Sequence, residues 1–325
     1  MDIDRGGDLA KRYALLTVDT EALPRRAVDN HVQRLVWGEH PTGTAGIREM
    51  SSIGDEFGAK HVFFVDLCAT IAQQPQMLEA VRWLDQQGQD VQLHAHPETL
   101  PKSFWAQHRL APSPSLMNQY KDQTRAEFVF RHFGKLISDV TGKPILAHRA
   151  GSFRWNALTI RALQAVGIPL SFNQSMRAAL LKRCPTGQPD CLPYAWSNGT
   201  IEVPVTERFT PGMSDAKPDR WSSLTYPESS YFQYGSRPTT FWKDPLWSLP
   251  KVSVVLMHSW SLLDLDENGH FHYTNDRLLE GYRLFLQRVV KDYDVITTAD
   301  FLDLQARGKI RLSRTVNLEQ VETQV

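Results

Sequence analysis

Eight short runs rich in apolar and β-branched residues recur along the chain, and amphipathic helical patterns separate most of them. The runs cover residues 13–18, 60–65, 90–93, 144–147, 168–172, 200–205, 251–257 and 293–298. Strands that alternate with helices indicate parallel β/α units. Eight such strands in 325 residues therefore predict a single α/β domain, a distorted or incomplete (β/α) barrel of about seven to eight parallel strands.

One long region interrupts this alternation. Residues 184–250 are rich in Pro, Ser, Thr, Trp and Tyr, so we expect an irregular, loop-rich insertion near the mouth of the barrel, where the strands end. We expect residues 1–12 to form an N-terminal extension, residues 13–312 the barrel, and residues 313–325 a C-terminal tail.

Composition excludes several classes of partner. The 36 basic and 36 acidic side chains balance, which predicts no binding of nucleic acid. No run of about 18 apolar residues is present, and the N-terminus lacks the apolar core of a signal peptide. We therefore expect a soluble, cytoplasmic protein with no membrane insertion. Three cysteines argue against a disulfide framework. Nothing in the sequence defines the oligomeric state.

Polar side chains follow most of the predicted strands at the point where each strand ends. In a β/α barrel these ends form the mouth that carries the active site. Carboxylates, imidazoles and a guanidinium at one mouth predict a metal-assisted hydrolytic site. The residues concerned are Asp19, Glu21, Asp66, His94, His96, His148, Arg149, Asn173, Glu202, Glu207 and His258.

His94 and His96 are the first candidate metal ligands. Residues two apart on a strand point to the same face, so both imidazoles converge on one position. Zinc accepts imidazole and carboxylate together, and a catalytic site usually has three protein ligands and one open position. We predict a divalent ion, zinc by ligand type, with Co, Ni, Mn or Fe as alternatives.

Asp19 and Glu21 form a second pair with the same spacing. One carboxylate can bind the metal while the other takes a proton from the bound water, and the residue pattern leaves open which does which. Arg149 can orient the free carboxylate. His258 ends the most apolar strand and can protonate a leaving amine.

Aromatic side chains of the irregular region can stack on a sugar ring or pack as a satellite core. They are Trp221, Tyr226, Tyr231, Phe232, Tyr234, Phe241, Trp242 and Trp247. We predict that substrate contacts come from Asp66, Asn173, Glu202, Trp221 and Trp260.

Five segments in order resemble the motifs of the polysaccharide deacetylase superfamily, the carbohydrate esterases that share the NodB-type homology domain. The segments are TVDTE (17–21), LHAHPE (93–98), HRAGSF (148–153), TIEVPVT (200–206) and VVLMHSW (254–260). The resemblance implies a distorted β/α barrel and a metal-dependent deacetylase. It also implies the site roles: Asp19 as general base, Arg149 as its support, His258 as general acid, and Glu21, His94 and His96 as metal ligands.

The function that we predict is removal of an N-acyl group, N-acetyl in particular, from a sugar of a surface polysaccharide or of its cytoplasmic precursors. A looser likeness to deacetylase-like proteins of bacterial O-antigen assembly suggests lipopolysaccharide biosynthesis. The alternatives are a non-catalytic carbohydrate-binding protein, a metal-independent glycosidase using Asp19 and Glu202, and an iron oxygenase with a facial triad.

Overall fold

The computed structural model describes residues 12–111, 116–185, 191–212, 219–227 and 251–321. The strands in these residues are β1 (Tyr13–Thr20), β2 (Glu39–His40), β3 (Gly43–Thr44), β4 (His61–Asp66), β5 (Asp90–Ala95), β6 (Ala147–Ala150), β7 (Leu170–Ser171), β8 (Tyr194–Trp196), β9 (Ile201–Glu202), β10 (Glu207–Thr210), β11 (Arg220–Ser223), β12 (Val252–His258), β13 (Asp264–Leu265), β14 (Phe271–His272), β15 (Asp294–Val295) and β16 (Thr315–Val316). The α-helices are α1 (His31–Leu35), α2 (Ile47–Glu56), α3 (Gln74–Gln86), α4 (Lys102–Gln107), α5 (Gln123–Thr141), α6 (Ala157–Val166), α7 (Met176–Leu180), α8 (Arg277–Asp292) and α9 (Thr298–Ala306).

Ten of the strands form one curled sheet in the order β12-β1-β4-β5-β6-β7-β9-β8-β16, with β15 also paired to β1. All pairs along this path are parallel except β8 with β9. The path is open, since its two ends do not pair with each other in the described residues. This architecture confirms the predicted distorted, incomplete (β/α) barrel.

The two faces of the sheet are both buried, but they bury different residues. On β1, Ala14, Leu16 and Val18 belong to the core between sheet and helices, whereas Tyr13 and Leu15 belong to a separate core inside the barrel. Because side chains alternate along a strand, the next inward positions after Leu15 are residues 17 and 19. The inner core therefore lies below a polar layer at the mouth.

Helices cover the outer face and begin and end at ordinary capping residues. The Asp122 side chain caps α5 by accepting the N–H of Thr124, and α5 ends at Gly142, which has a φ of 68°. That left-handed conformation favours glycine, as at many helix C-termini. Within the described residues, no helix is both long and apolar enough to cross a membrane.

Two parts of the sheet differ from the sequence interpretation. β8 lies in the region expected to be irregular, and β16 lies in the segment expected to form a tail. The two pair with each other, with Thr315 opposite Ala195 and Val316 opposite Trp196. Both are only two or three residues long, so hydrophobic periodicity could not detect them.

Candidate metal centre and active site

Neighbouring strands bring the predicted site residues together. The parallel register places Asp19 of β1 beside His258 of β12, and His94 of β5 beside Arg149 of β6. Their side chains lie at the carboxyl ends of these strands, which form the mouth of the barrel. Glu21 and His96 follow the ends of β1 and β5 directly.

Glu21, His94 and His96 form a compact group, which we call the ligand cluster. The Glu21 Oε1 atom lies 2.8 Å from Nε2 of His94 and 3.2 Å from Nε2 of His96. All three side chains are buried, and one potential ligand atom from each lies within 4.8 Å of the others. This buried cluster could hold a metal ion.

The hydrogen bonds behind the two imidazoles test that fit. Nδ1 of His94 lies 2.8 Å from the carbonyl oxygen of Arg149, and Nδ1 of His96 lies 2.8 Å from the Glu98 carboxylate. Both partners only accept, so each Nδ1 carries a hydrogen and each neutral ring presents its Nε2 lone pair to Glu21. Three acceptors therefore converge, and a cation must lie among them, either protons or a metal ion.

The electrostatics of the cluster follow from this arrangement. Burial alone would raise the pKa of Glu21, but the His96 and His94 imidazoles outweigh it and hold that pKa well below its usual range. Burial would likewise lower the pKa of His96, yet Glu21 and Glu98 raise it well above normal. The pKa of His94 is also raised against burial, by the Asp19 and Glu21 carboxylates. The site is built to hold positive charge.

Asp19 is held separately from the ligand cluster by a buried ion pair. Arg149 Nη1 donates to Asp19 Oδ1 over 2.6 Å, and Nη2 donates to the Thr17 hydroxyl over 2.8 Å. The guanidinium lies 4.5 Å from the centroid of Phe64, at the top of the inner core. No hydrogen bond to Asp19 Oδ2 occurs in the described part of the chain, so this oxygen can accept a proton.

His258 is half-buried and lies on β12, on the side of Asp19 away from Arg149. Asp19, Glu21 and His258 form a second group whose potential ligand atoms lie within 4.8 Å of one another. The His258 ring stacks on Trp260 with centroids 4.9 Å apart, and Trp260 stacks on Phe271 at 5.4 Å. A cavity of about 440 Å³ borders these three rings.

Asp66 and Asn173, two of the predicted substrate contacts, instead lie in the interior. Asp66 accepts the backbone N–H groups of Cys68, Ala69 and His96, and the Asn173 side chain accepts the N–H of Ala150. Both side chains are fully buried. Their contacts are with the loop that carries His96 and with the end of β6, which carries Arg149, so they brace the mouth in this structure.

Glu202 is also fully buried. Its carboxylate accepts the backbone N–H groups of Asn173 and Gln174 and the indole N–H of Trp196. Burial raises its pKa to about 7. A carboxyl enclosed in this way cannot reach a sugar ring without rearrangement.

Trp221 lies on the hairpin of β10 and β11, where its ring is 5.2 Å from Phe209. Of the other aromatic residues of this region, Tyr226 is buried against Tyr282 and Phe285 of α8. The remaining ones lie outside the described residues, and they are Tyr231, Phe232, Tyr234, Phe241, Trp242 and Trp247.

Two residues that position His96 were not singled out from the sequence. Glu98 accepts from its Nδ1, and Gly151 lies so close that an added Cβ would be 2.5 Å from the ring. A carboxylate two residues after a candidate ligand was the available signal for Glu98. Gly151 could be recognised only once β5 and β6 were known to be neighbours.

Comparison of the sequence with models of known families gives no match, and comparison with curated proteins gives none. The fold, in contrast, matches solved structures. One is a Mycobacterium smegmatis protein provisionally assigned as a polysaccharide deacetylase, with a TM-score of 0.55, 14% identity and 93% of each chain covered. Another is the 4-alpha-glucanotransferase of Thermococcus litoralis, with a TM-score of 0.51 and 13% identity, covering 95% of this chain and 42% of that one.

At these identities the two structures establish the fold alone, and their described activities differ from each other. Activity must therefore be argued from the site. The fold that the motif resemblance implies is confirmed: the chain shares its architecture with the Mycobacterium smegmatis protein.

Proposed function

We propose that this protein is a metal-dependent hydrolase that removes an N-acetyl group from a sugar. The observation that carries the proposal is the convergence of Glu21, His94 and His96 on one point, beside a second carboxylate held by Arg149. A metal ligand set and a free base are the two parts that hydrolysis of an amide by activated water requires.

Glu21, His94 and His96 are the residues that would hold the ion, and nitrogen and oxygen donors in this number favour zinc. A bound divalent ion supplies a water of lowered pKa and a Lewis acid for the acyl oxygen. We assign ligation to Glu21 rather than Asp19, because Glu21 contacts both imidazoles whereas Asp19 contacts a guanidinium.

In the proposed reaction, Asp19 Oδ2 takes a proton from the attacking water as its oxygen bonds to the acetamide carbon. Arg149 keeps the carboxylate oriented through Oδ1. The C–N bond then breaks, and a protonated His258 donates its proton to the departing amine. The products are acetate and a free amino sugar, and the sugar would lie in the cavity bordered by His258, Trp260 and Phe271.

A cytoplasmic precursor of a surface polysaccharide, including one of O-antigen assembly, is the substrate class we propose. The glycosidase alternative is disfavoured because Glu202 is enclosed by backbone amides and Trp196. A facial-triad oxygenase would leave Asp19, Arg149 and His258 without a role. A carbohydrate-binding protein without turnover is distinguished by experiment.

The test is acetate release from N-acetylated sugars by zinc-loaded protein and by the Asp19→Asn variant. We expect the variant to retain its metal and to lose about 10²- to 10⁴-fold in kcat, because it lacks the general base. The matched control is Asp139→Asn, which removes an exposed carboxylate paired with Lys135 on α5.

Wild-type activity that persists after metal removal would contradict metal dependence. Metal-loaded wild type that binds N-acetylated sugars but releases no acetate would identify the carbohydrate-binding alternative instead. An Asp19→Asn variant as active as wild type would remove Asp19 from the mechanism.

A further inference from the structure

Three arginines near the mouth lack the acidic partners that several other described arginines have. Arg154 and Arg183 are half-buried and Arg177 is exposed. None of their guanidinium groups has an ion pair or hydrogen bond within the described part of the chain. We call these three residues the arginine cluster. Paired arginines elsewhere include Arg34, Arg48, Arg149, Arg161, Arg277, Arg283 and Arg307.

Backbone contacts bring the three positions together. The N–H of Arg183 donates to Ala178, the residue after Arg177, over 2.9 Å. The side-chain amide of Asn118 donates to the backbone carbonyl of Arg183. The backbone carbonyl of Asn118 accepts from the side chain of Asn156, which lies two residues after Arg154. Burial is the largest cause that lowers the pKa of Arg183, and the charges of Arg154 and Arg177 lower it further. The positive charges therefore repel one another in the folded chain.

The cluster also adjoins the ligand cluster. The N–H of Arg154 donates to the carbonyl of Gly151 over 3.0 Å, and Gly151 touches the ring of His96. The intervening residues Ser152 and Phe153 have φ values of 52° and 56°, a left-handed conformation that is strained for non-glycine residues. Such strain is concentrated at functional sites. Here it sets the start of the arginine cluster beside the mouth.

The nearby carboxylates do not neutralise this charge. Glu207 accepts the hydroxyls of Ser175 and Ser223 and the backbone N–H groups of Met176 and Arg177, and it is buried. Glu202 is enclosed, as described above. Lys182, in the same segment, is exposed and adds a further positive charge. Because the whole chain is electrically balanced, this local excess does not reflect a basic protein.

We propose that Arg154, Arg177 and Arg183 bind a phosphate or diphosphate group carried by the sugar substrate. Guanidinium groups match phosphate oxygens in geometry and charge. Several guanidinium groups together are better suited to binding a phosphate dianion than to binding one carboxylate, which carries a single negative charge. The inference rests on the proposed function, since it assigns the anion to the sugar whose N-acetyl group reaches the ligand cluster. The substrate class is then a sugar phosphate, nucleotide-linked or lipid-linked.

The test compares wild type with Arg154→Gln, Arg177→Gln and Arg183→Gln at equal metal content. Calorimetric titration with inorganic pyrophosphate measures the anion site without turnover. Titrations with N-acetylglucosamine and N-acetylglucosamine 1-phosphate measure what the phosphate adds. We expect each substitution to weaken pyrophosphate and sugar-phosphate binding about tenfold and to leave binding of the neutral sugar unchanged. The control is Arg307→Gln, which replaces an exposed arginine directly after the end of α9.

A structural role predicts the opposite stability change from a binding role. Because the three charges repel, each substitution should leave the melting temperature unchanged or raise it, while binding is lost. Added salt should weaken pyrophosphate binding in wild type.

Pyrophosphate affinity that survives all three substitutions would overturn the proposal, as would equal affinity for the sugar and its phosphate. Arginine-dependent binding of phosphatidylglycerol vesicles without binding of the sugar phosphate would assign the cluster to a membrane surface and overturn it too. Pyrophosphate bound without any acetate release would contradict the proposed function and leave the anion site standing.

Discussion

Two pairs of buried histidines in this protein behave in opposite ways. Burial lowers the pKa of His61 to about 4 and holds that of His148 well below its usual range. His94 and His96 are equally buried, yet their pKa values are raised, because carboxylates including Glu21 outweigh the effect of burial. Burial alone makes a neutral core histidine, and a carboxylate in contact makes a site for a cation.

The face of the sheet decides which pair a histidine joins. His61 contacts Tyr282 of α8, and His148 packs 4.4 Å from the ring of Phe130 of α5, so both point outward to the helices. His94 points inward, as does Arg149, although Arg149 is the residue next to His148. Neighbours in sequence therefore serve the core and the site, because strand side chains alternate.

The largest expected effect tests whether the inward-pointing histidines bind the metal and the outward-pointing ones do not. The candidate ligands and one outward-pointing histidine are replaced in separate variants. We expect His94→Ala and His96→Ala to lower zinc affinity by more than about 100-fold, exceeding the loss typical of outer partners. His148→Leu should keep its zinc, because His148 lies on the other face of β6. Elemental analysis and competition with a chromophoric chelator measure both effects, and equal losses in all three variants would contradict the assignment.

A smaller effect is expected in the pH dependence of stability. His61 is neutral in the folded chain down to about pH 4, whereas an unfolded histidine takes up a proton near pH 6.5. The unfolded state thus binds more protons in this window, so His61 costs up to about 3 kcal/mol of stability as the pH falls through it.

Urea denaturation at a series of pH values between 7 and 5 checks this expectation. His61→Leu should flatten the acid loss of stability relative to wild type. Tyr282→Phe removes the hydroxyl at 2.5 Å from His61 but leaves the buried imidazole, so it should keep the slope. Identical slopes in wild type and His61→Leu would show that His61 is not the group responsible.

The smallest effect sharpens the role of the carboxylate behind His96. Glu98→Ala should weaken zinc binding about tenfold. Nδ1 of His96 then loses its hydrogen-bond acceptor, and the imidazole ring is no longer held in its orientation. Glu98→Gln should lose less, since an amide oxygen can still accept that hydrogen bond. Glu127→Ala on α5 is the matched control. Zinc affinity unchanged in Glu98→Ala, measured by chelator competition, would contradict a positioning role.

Much of the fold was predictable because its strands are long enough to carry a pattern. Runs such as residues 13–18 and 251–257 became β1 and β12, which pair along seven residues. β8 and β16 were not predictable, since each is very short and their pairing joins positions more than a hundred residues apart. A short strand of this kind is stabilised by its neighbours rather than by its own sequence.

The site was partly predictable for a related reason. Parallel strands end at one edge, so Asp19, His94, Arg149 and His258 could be expected to meet there, and the structure brings them together. The arginine cluster could not be foreseen, because Arg154 follows β6 whereas Arg177 and Arg183 lie on and just after α7. Their proximity depends on how the chain turns after each strand. The roles of all these residues stay predictions until tested.

The register of β1 against β12 has a mechanical consequence. Asp19 and His258 are direct cross-strand neighbours, so their backbones are held about 4.8 Å apart by the spacing of the sheet. The proposed base and acid thus share one rigid support, and no loop closure is needed to set the distance between them. A one-residue slip of β12 would turn His258 to the face that packs against the helices. The main-chain hydrogen bonds that set this register therefore also fix the distance between the proton acceptor and the proton donor.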